Sequence, residues 1–388
     1  VRVSDYEALL AVASPHRFEV VADEHRAASM CYTSGTTGDP KGVVYSHRSV
    51  VLHSMAAALS DLVGVREADV ILPVVPMFHA NAWGLCQAAV MAGAEVVFPG
   101  ADLSPAAVCR LILGEGVTVA AGVPTIWMGV RPLLAGQAHR LRSIVCGGSA
   151  VPRALSEAYR REVGLPILQA WGMTETSPIA TVCTVRSERA AAGSEEELAD
   201  LRATVGLPAP LVELRIADPE TGETLPWDDE TSGEVQVRGP WIAASYYNDE
   251  RGAASFTQDG WLRTGDVGVV SPDGYVRLVD RTKDLIKSGG EWISSVELEN
   301  HLMAHPAVAE AAVIGVASER WMERPLACVV VKPESSLTSD EVIDWLRPRV
   351  AKWWLPEAVE FIDEVPKTSV GKFSKKDLRD KFSDRRVP

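Results

Sequence analysis

The chain has 388 residues, which is enough for two or more domains with separate hydrophobic cores. Its 47% hydrophobic and 23% charged residues are ordinary for a folded protein, and no apolar run reaches the ~18–20 residues that span a bilayer. A formal net charge of −14 argues against nucleic acid or an anionic membrane as the main partner, and six scattered cysteines without a C-x-x-C pair favour buried free thiols over a zinc site or a disulfide framework.

The first half of the chain alternates short β-branched runs with amphipathic stretches. Strands are predicted at 28–32, 70–75, 95–98, 117–121, 143–146 and 167–169. Helices are predicted at 46–59, 82–92, 104–113 and 152–162. Strands that alternate with helices indicate a mostly parallel sheet covered on both faces. We therefore assign residues 1–203 to the α/β part of a large domain.

The pattern changes after an acidic stretch at 187–200. Strands are predicted at 212–216, 233–238, 267–270 and 275–279, with turn clusters between them. This spacing favours a compact antiparallel unit, so residues 204–280 are predicted to be a β-rich subdomain of the large domain. The α/β pattern then returns, with helices predicted at 296–303, at 339–349 and from 374, and strands at 309–316 and 327–332. Residues 281–388 are accordingly predicted to form a small α+β C-terminal domain.

A loop rich in Gly, Ser and Thr follows the first predicted strand, with the sequence YTSGTTGDPKG from Tyr32 to Gly42. Glycines let backbone N–H groups approach an anion, hydroxyls add donors, and a lysine adds positive charge. The pattern G-x-x-x-x-G-K-[ST] fails because Pro40 stands at the second glycine position, so this is not a Walker A loop. The sequence predicts a phosphate cradle, with a flexible linker as the alternative. Its candidate ligands are Thr33, Ser34, Gly35, Thr36, Thr37, Gly38 and Lys41.

Five motifs in order resemble the signatures of the adenylate-forming superfamily, which contains acyl-CoA synthetases, peptide-synthetase adenylation domains and luciferases. They are the phosphate loop, 172–176 (GMTET), 261–266 (WLRTGD), 280–284 (DRTKD) with 287–291 (KSGGE), and 366–372 (PKTSVGK). The resemblance covers nearly the whole chain. It implies a large domain with a mostly parallel sheet flanked by helices, a β-rich subdomain and a mobile C-terminal lid. It also implies two half-reactions: a carboxylate attacks the α-phosphate of ATP to give acyl-AMP and pyrophosphate, and a thiol then attacks the activated carbonyl.

The resemblance also implies a role for single residues. Glu175 would bind Mg²⁺, and Thr174 would contact the α-phosphate. Asp266 would accept hydrogen bonds from the ribose hydroxyls, with Arg281 as a second ribose or phosphate contact. Lys372 would stabilise the charge that develops during adenylation.

Further positions follow from the same motifs. Trp171 stands where a tyrosine is common in the family and would stack on adenine, with a buried core tryptophan as the alternative. Gly172 would bind the nucleotide, and Asp280 would be the hinge of the lid. Gly147 and Gly148 end a predicted strand, where glycines would let adenine or the acyl chain lie against bare backbone. The CoA channel would be formed by Lys287, Ser288, Gly289, Gly290 and Glu291.

The segment VPMFHANAWG at 75–84 resembles the acyl pocket of medium- and long-chain fatty-acyl-CoA synthetases. No acidic residue occurs at 78–83, which disfavours amino-acid substrates. His79 would border the substrate carboxylate, with a satisfied core histidine as the alternative. An apolar pocket would suit an alkyl or aryl chain, each buried methylene contributing ~0.8 kcal/mol. Its predicted lining is Phe78, Trp83, Val123, Trp127 and Gly147.

The sequence therefore predicts an AMP-forming fatty-acid–CoA ligase that uses ATP, Mg²⁺ and CoA in the cytoplasm, without integral membrane contact. Peripheral membrane contact and a homodimer are left open. An aryl-acid–CoA ligase is the alternative substrate class. A nucleotide-binding fragment, inactive without an N-terminal region, is the alternative function, because the phosphate loop begins near residue 32 and family members usually carry a longer region ahead of it.

Overall fold

A computed structural model describes residues 6–13, 20, 22–33, 40–289, 291–368 and 371–387. The helices among them are α1 (Tyr6–Val12), α2 (His47–Ala57), α3 (Ala80–Trp83), α4 (Leu85–Ala92), α5 (Pro105–Gly114), α6 (Pro124–Leu134), α7 (Arg153–Glu162), α8 (Ser187–Ala192), α9 (Glu195–Arg202), α10 (Ser295–Met303), α11 (Ser339–Leu346) and α12 (Lys375–Lys381). Short 3₁₀ segments lie at Thr174–Thr176, Glu250–Ser255 and Lys352–Trp354.

The strands among the described residues form four sheets, and each sheet is built from strands that are consecutive in the chain. The first strands are β1 (Ala27–Tyr32), β2 (Gly42–Ser46), β3 (Val70–Pro73), β4 (Glu95–Val96), β5 (Val119–Gly122), β6 (Ser143–Cys146), β7 (Leu168–Gly172), β8 (Ile179–Val182) and β9 (Leu207–Pro208). The later strands are β10 (Glu213–Ala217), β11 (Gly233–Arg238), β12 (Leu262–Val270), β13 (Val276–Arg281), β14 (Ile286–Ser288), β15 (Glu291–Ile293), β16 (Val308–Ser318), β17 (Met322–Val331), β18 (Ala358–Phe361) and β19 (Arg386–Val387).

A seven-stranded sheet in the order β4-β3-β5-β6-β7-β8-β9 organises the first half of the chain. Its first five strands are parallel, and β8 and β9 continue it antiparallel. Successive residues of β6 point to opposite faces, so Val145 packs in one hydrophobic core and Ile144 and Cys146 pack in another. Helices cover both cores, which confirms the predicted mostly parallel sheet flanked by helices.

The second half of the chain contains two further sheets. Strands β10-β11-β12-β13 form a four-stranded antiparallel sheet, as the turn spacing predicts. Strands β15-β14-β17-β16-β19 form a sheet to which β18 adds by pairing with β17. Among the described residues, no helix combines the length and the apolar character that crossing a bilayer would require.

The segment 80–83 departs from the predicted helix at 82–92. Its four residues are non-glycine and all have positive φ, between 45° and 58°, so they form a left-handed turn, and the right-handed helix begins only at Leu85. Asn81 ties the turn to β1: its Nδ2 donates to Ser29 Oγ at 2.8 Å, and its Oδ1 accepts from Cys31 Sγ at 3.2 Å. Left-handed geometry costs an L-residue about 1–2 kcal/mol, which these contacts with a distant strand offset.

Substitutions at Asn81 test this turn. Asn81→Gly and Asn81→Ala lose the same two side-chain hydrogen bonds, but only glycine accepts a positive φ without cost. We expect the alanine variant to be less stable than the glycine variant by about 1 kcal/mol in urea unfolding. In a right-handed helix the order would reverse, with alanine more stable by about 1 kcal/mol, and that result would contradict the observed backbone.

Candidate active site

The candidate site residues gather where the parallel strands end. Gly122 closes β5 and Gly172 closes β7, and Gly147 and Gly148 directly follow β6. The carboxyl ends of parallel strands lie at one edge of a sheet, which is where ligands bind in open α/β folds. Gly172 must be a glycine, because a Cβ there would lie 1.7 Å from the carbonyl oxygen of Pro178.

Lys372 reaches this edge from the C-terminal part of the chain. A Cβ built on Gly148, whose φ is +80°, would lie 2.7 Å from Lys372 Cε and 3.2 Å from its Nζ. The preceding residue is held in place too, since Thr125 Oγ1 donates to the carbonyl oxygen of Gly371 at 2.9 Å. The structure therefore places Lys372 next to Gly148, and the sequence predicts that both residues belong to the nucleotide site.

The surroundings of Lys372 change how two groups titrate. Burial, together with the positive charge of Arg281, lowers the pKa of Lys372 to about 8, although the carboxylate of Asp266 opposes the shift. Burial and the charge of Lys372 lower the pKa of His79 to about 4. His79 is therefore neutral at pH 7, and Lys372 is a cation that a nearby anion would stabilise further.

Asp266 lies on β12 and is only 5% exposed. Its Oδ2 accepts from Trp171 Nε1 at 2.9 Å, and its Oδ1 accepts from Arg281 Nε at 3.1 Å. Trp171 is buried, and its indole N–H supports the carboxylate, a contact that neither the stacking nor the core interpretation of this residue included. The two donors fix the carboxylate and leave lone pairs on both oxygens for hydroxyl donors.

Glu175 belongs to a second polar group, on the 3₁₀ turn after β7, and is 4% exposed. Tyr246 donates from its hydroxyl to Glu175 Oε1 at 2.5 Å, and the Lys41 ammonium lies 4.6 Å from the centre of the Tyr246 ring. Burial and the charge of Glu175 raise the pKa of Tyr246, so the phenol keeps its proton. Sequence reasoning missed Tyr246. The adjacent pair Tyr246-Tyr247 before a turn was the available signal, and nothing local to it indicates Glu175.

Thr174, next to Glu175, is also buried and is held through its backbone. Its carbonyl oxygen accepts from the hydroxyl of Tyr45 at 2.7 Å, which connects the 3₁₀ turn to β2. Burial raises the pKa of Tyr45, so this phenol also remains a donor. Tyr45 is therefore a second supporting tyrosine that the sequence analysis did not single out.

The described residues fit a magnesium ion only if one carboxylate and the substrate phosphates hold it together. No group of three or more His, Cys, Asp or Glu side chains in the described part of the chain is arranged to hold a metal. Mg²⁺ in nucleotide sites is commonly bound by one or two carboxylates and the substrate phosphates, so the buried Glu175 is compatible with an ion that phosphate oxygens would also hold.

Only the base of the predicted phosphate loop is described. Thr33 N donates to the carbonyl oxygen of Lys41 at 2.9 Å, and Lys41 N donates to Thr33 Oγ1 at 3.2 Å, so these two residues close the loop above the β1–β2 hairpin. The other predicted ligands in the loop, Ser34, Gly35, Thr36, Thr37 and Gly38, lie outside the described residues.

The predicted acyl pocket is only partly brought together. Trp83 and Val123 are buried in one core, and a Cβ on Gly147 would lie 3.5 Å from the Trp83 ring. Phe78, in contrast, is 67% exposed. Trp127 is fully buried in the other core, packed edge-on against Tyr159 with ring centres 6.5 Å apart. The expectation that Trp127 lines the pocket is wrong, because α6 turns its indole to the opposite face of the sheet.

Asp280 connects the antiparallel sheet to the C-terminal part. Its Oδ2 accepts from Ser295 N at 2.7 Å and from Ser295 Oγ at 2.5 Å, and Ser295 Oγ accepts from Lys375 Nζ at 2.5 Å. Lys375 also pairs with Glu299 at 2.8 Å. The predicted hinge residue is therefore buried and linked to α12, which begins three residues after Lys372.

The predicted CoA channel lies on the C-terminal sheet. Ser288 pairs with Met322, Gly289 N donates to the Trp321 carbonyl at 2.9 Å, and Lys287 N donates to Glu323 at 3.0 Å. Lys287, Gly289 and Glu291 are exposed, Ser288 is buried, and Gly290 lies outside the described residues.

Comparison with known proteins identifies the family. Residues 3–247 match the family profile described as AMP-binding enzyme, and residues 297–372 match the profile of the AMP-binding enzyme C-terminal domain. The chain belongs to the AMP-binding enzyme family.

Several known proteins are similar along nearly the whole chain. A long-chain-fatty-acid–CoA ligase of Thermus thermophilus is 50% identical over 382 residues, covering 97% of this chain and 69% of the relative. A medium-chain-fatty-acid–CoA ligase of Ectopseudomonas oleovorans is 44% identical, covering 98% and 69%. The structure of o-succinylbenzoate CoA synthetase from Bacillus subtilis, in complex with its acyl-adenylate intermediate, has a TM-score of 0.82 at 31% identity, covering 98% and 74%.

The titration of Lys372 in this AMP-binding enzyme can be measured without assuming its role. Its lowered pKa means that the ammonium is lost as pH rises through about 8. Competitive acetylation with limiting reagent, read by mass spectrometry, should give Lys372 a midpoint near that pH. Lys376, which is exposed, serves as the control. Equal midpoints for the two lysines would show that Lys372 is not in the environment described.

Proposed function

We propose that this AMP-binding enzyme is an ATP-dependent acid–thiol ligase that activates a fatty acid as acyl-AMP, releases pyrophosphate and transfers the acyl group to CoA. The observation that carries the proposal is that Lys372 lies beside Gly148 at the carboxyl edge of the parallel sheet, close to the ion pair of Arg281 and Asp266. Two cations and one carboxylate at this edge suit a nucleotide, whose phosphates need positive charge and whose ribose needs an acceptor.

The nucleotide end of the site is built from fixed groups. Asp266, held by Trp171 and Arg281, accepts the ribose hydroxyls. Thr174 and Lys41 contact the phosphates, and Glu175 is the residue that would hold Mg²⁺. When bound, Mg²⁺ would neutralise phosphate charge. Lys372 lies near enough to Asp266 to feel its charge, and it stabilises the negative charge that develops as the carboxylate attacks the α-phosphate.

The acid end of the site is apolar. Trp83 is buried beside Gly147 and Val123 is buried beside Gly148, so an alkyl chain that packs against them leaves water. His79 is neutral at pH 7 and can donate one ring N–H to the substrate carboxylate without forming an ion pair. The two similar ligases named for fatty acids support an alkyl chain over an aryl acid.

The thiol step is assigned to the C-terminal part. We propose that residues 281–388 move about Asp280 as a lid on a large domain made of 1–203 and 204–280, and that Lys287 to Glu291 then line the CoA channel. A cytoplasmic location and a homodimer remain predictions from the sequence.

Pyrophosphate release with a panel of acids tests this function. We expect C6–C18 fatty acids to stimulate release, and CoA to complete turnover to the acyl thioester and AMP. Benzoate and cinnamate measure the aryl alternative, and amino acids measure the adenylation-domain alternative. Preferred turnover of an aryl acid would overturn the substrate assignment, and absence of pyrophosphate with every acid would overturn the proposed activity.

A further inference from the structure

The loop that carries Lys372 is held against the large domain by one side-chain hydrogen bond in particular. Thr125 lies in the first turn of α6, and its Oγ1 donates to the Gly371 carbonyl oxygen at 2.9 Å. The two residues are separated by 246 positions in sequence, so only the docked position of the loop forms this contact.

Hydrogen bonds among Thr368, Gly371 and Lys372 connect this contact to the lysine. Gly371 N donates to the Thr368 carbonyl at 2.9 Å, Thr368 N donates to the Lys372 carbonyl at 2.7 Å, and Lys372 N donates to Thr368 Oγ1 at 3.2 Å. The φ of Gly371 is +79°, in the left-handed region that favours glycine. Because the Gly371 carbonyl is held in this tight turn, the Cα of Lys372 that carries the side chain is held as well.

The hydroxyl of Thr125 is not needed by its own helix. Val123 is the N-cap residue of α6, no side chain caps this end, and Pro124 occupies the first turn. A proline there lacks an N–H, which removes one of the donors that a cap would satisfy. Within the described part of the chain, the Thr125 side chain makes its hydrogen bond to Gly371.

The same turn also touches the acyl side of the site. A Cβ on Gly371 would lie 3.4 Å from Val123 Cγ2, and a Cβ on Gly148 would lie 3.5 Å from Val123 Cγ1. Residues 123–125 therefore form the surface on which the lysine loop rests, next to the wall assigned to the acyl chain.

We propose that Thr125 is a positioning residue for adenylation: its hydroxyl docks the lysine loop so that Lys372 reaches the α-phosphate. This inference rests on the proposed function, because it assigns Thr125 to the first half-reaction and not to the second. Thr125 itself does not touch the reacting atoms.

The test compares three variants. Thr125→Val removes the hydroxyl and keeps the shape, and Thr125→Ser keeps the hydroxyl. Thr184→Val is the matched control, because Thr184 Oγ1 donates to a backbone carbonyl, that of Asp61, at 2.6 Å, away from the lysine loop. Urea unfolding of each variant reports any general loss of stability.

Acid-dependent ATP–pyrophosphate exchange measures the first half-reaction, and CoA thioester formation from supplied acyl-AMP measures the second. We expect Thr125→Val to lower the kcat of exchange by about three- to tenfold, the effect of one neutral hydrogen bond, with KM for ATP nearly unchanged. Thioester formation should stay within about twofold of wild type, and both Thr125→Ser and Thr184→Val should retain exchange. Equal losses in both half-reactions, or no loss in either, would overturn the assignment.

A second readout does not depend on turnover. The pH midpoint for labelling of Lys372 by competitive acetylation should rise above about 8 in Thr125→Val and stay near 8 in Thr184→Val, because an undocked loop returns the ammonium to water and restores its ordinary pKa. Unchanged labelling would overturn the proposal even if the chain showed no exchange. Failed exchange with altered labelling would contradict the proposed function and leave the positioning role supported.

Discussion

The carboxylate of Asp266 is the group on which the candidate site depends. It is buried, and burial of an unpaired charge is costly, so the fold must supply partners for it. Trp171 supplies one from the end of the parallel sheet, and Arg281 supplies the other from β13. Because Asp280 and Arg281 are adjacent, the same short segment that completes the Asp266 site also bonds to Ser295 and so to α12. The two carboxylates of Asp266 and Asp280 thereby connect the parallel sheet, the antiparallel sheet and the C-terminal part.

The charged groups around Asp266 influence the pKa of the neighbouring Lys372. Arg281 pairs directly with Asp266. Burial and the charge of Arg281 lower the pKa of Lys372, and the weaker attraction of Asp266 raises it. The lowered pKa of Lys372 therefore results first from burial and second from the positive charge of Arg281. Glu175 has a neutral partner instead of a cation, because Tyr246 donates to it from a phenol that keeps its proton. A neutral donor orients the carboxylate without cancelling the charge that a magnesium ion would require.

Much of the fold could be predicted because its signals are local. The strand at 143–146 is an apolar run bounded by polar residues, and the predicted and observed bounds agree. The helix predicted from Ser104 begins at Pro105, with Ser104 Oγ accepting from Ala107 N at 3.3 Å as its cap. The left-handed turn at 80–83 could not be predicted, because it depends on Asn81 contacts with Ser29 and Cys31, about fifty positions away. The exposure of Phe78 and the burial of Trp127 on the far face likewise follow from packing that no local pattern specifies.

The residues of the candidate site could be predicted, but the contacts that support them could not. Short motifs gave Lys372, Asp266, Glu175 and Gly148, yet the contacts that support them come from distant segments, including Tyr246 for Glu175 and Thr125 for the lysine loop. The most direct test of the central claim is the fate of oxygen during turnover with a fatty acid whose carboxylate carries ¹⁸O. Attack on the α-phosphate followed by thiolysis predicts one ¹⁸O atom in the phosphoryl group of AMP, seen by mass spectrometry. Unlabelled AMP, or label in inorganic phosphate together with ADP, would contradict an acyl-adenylate intermediate.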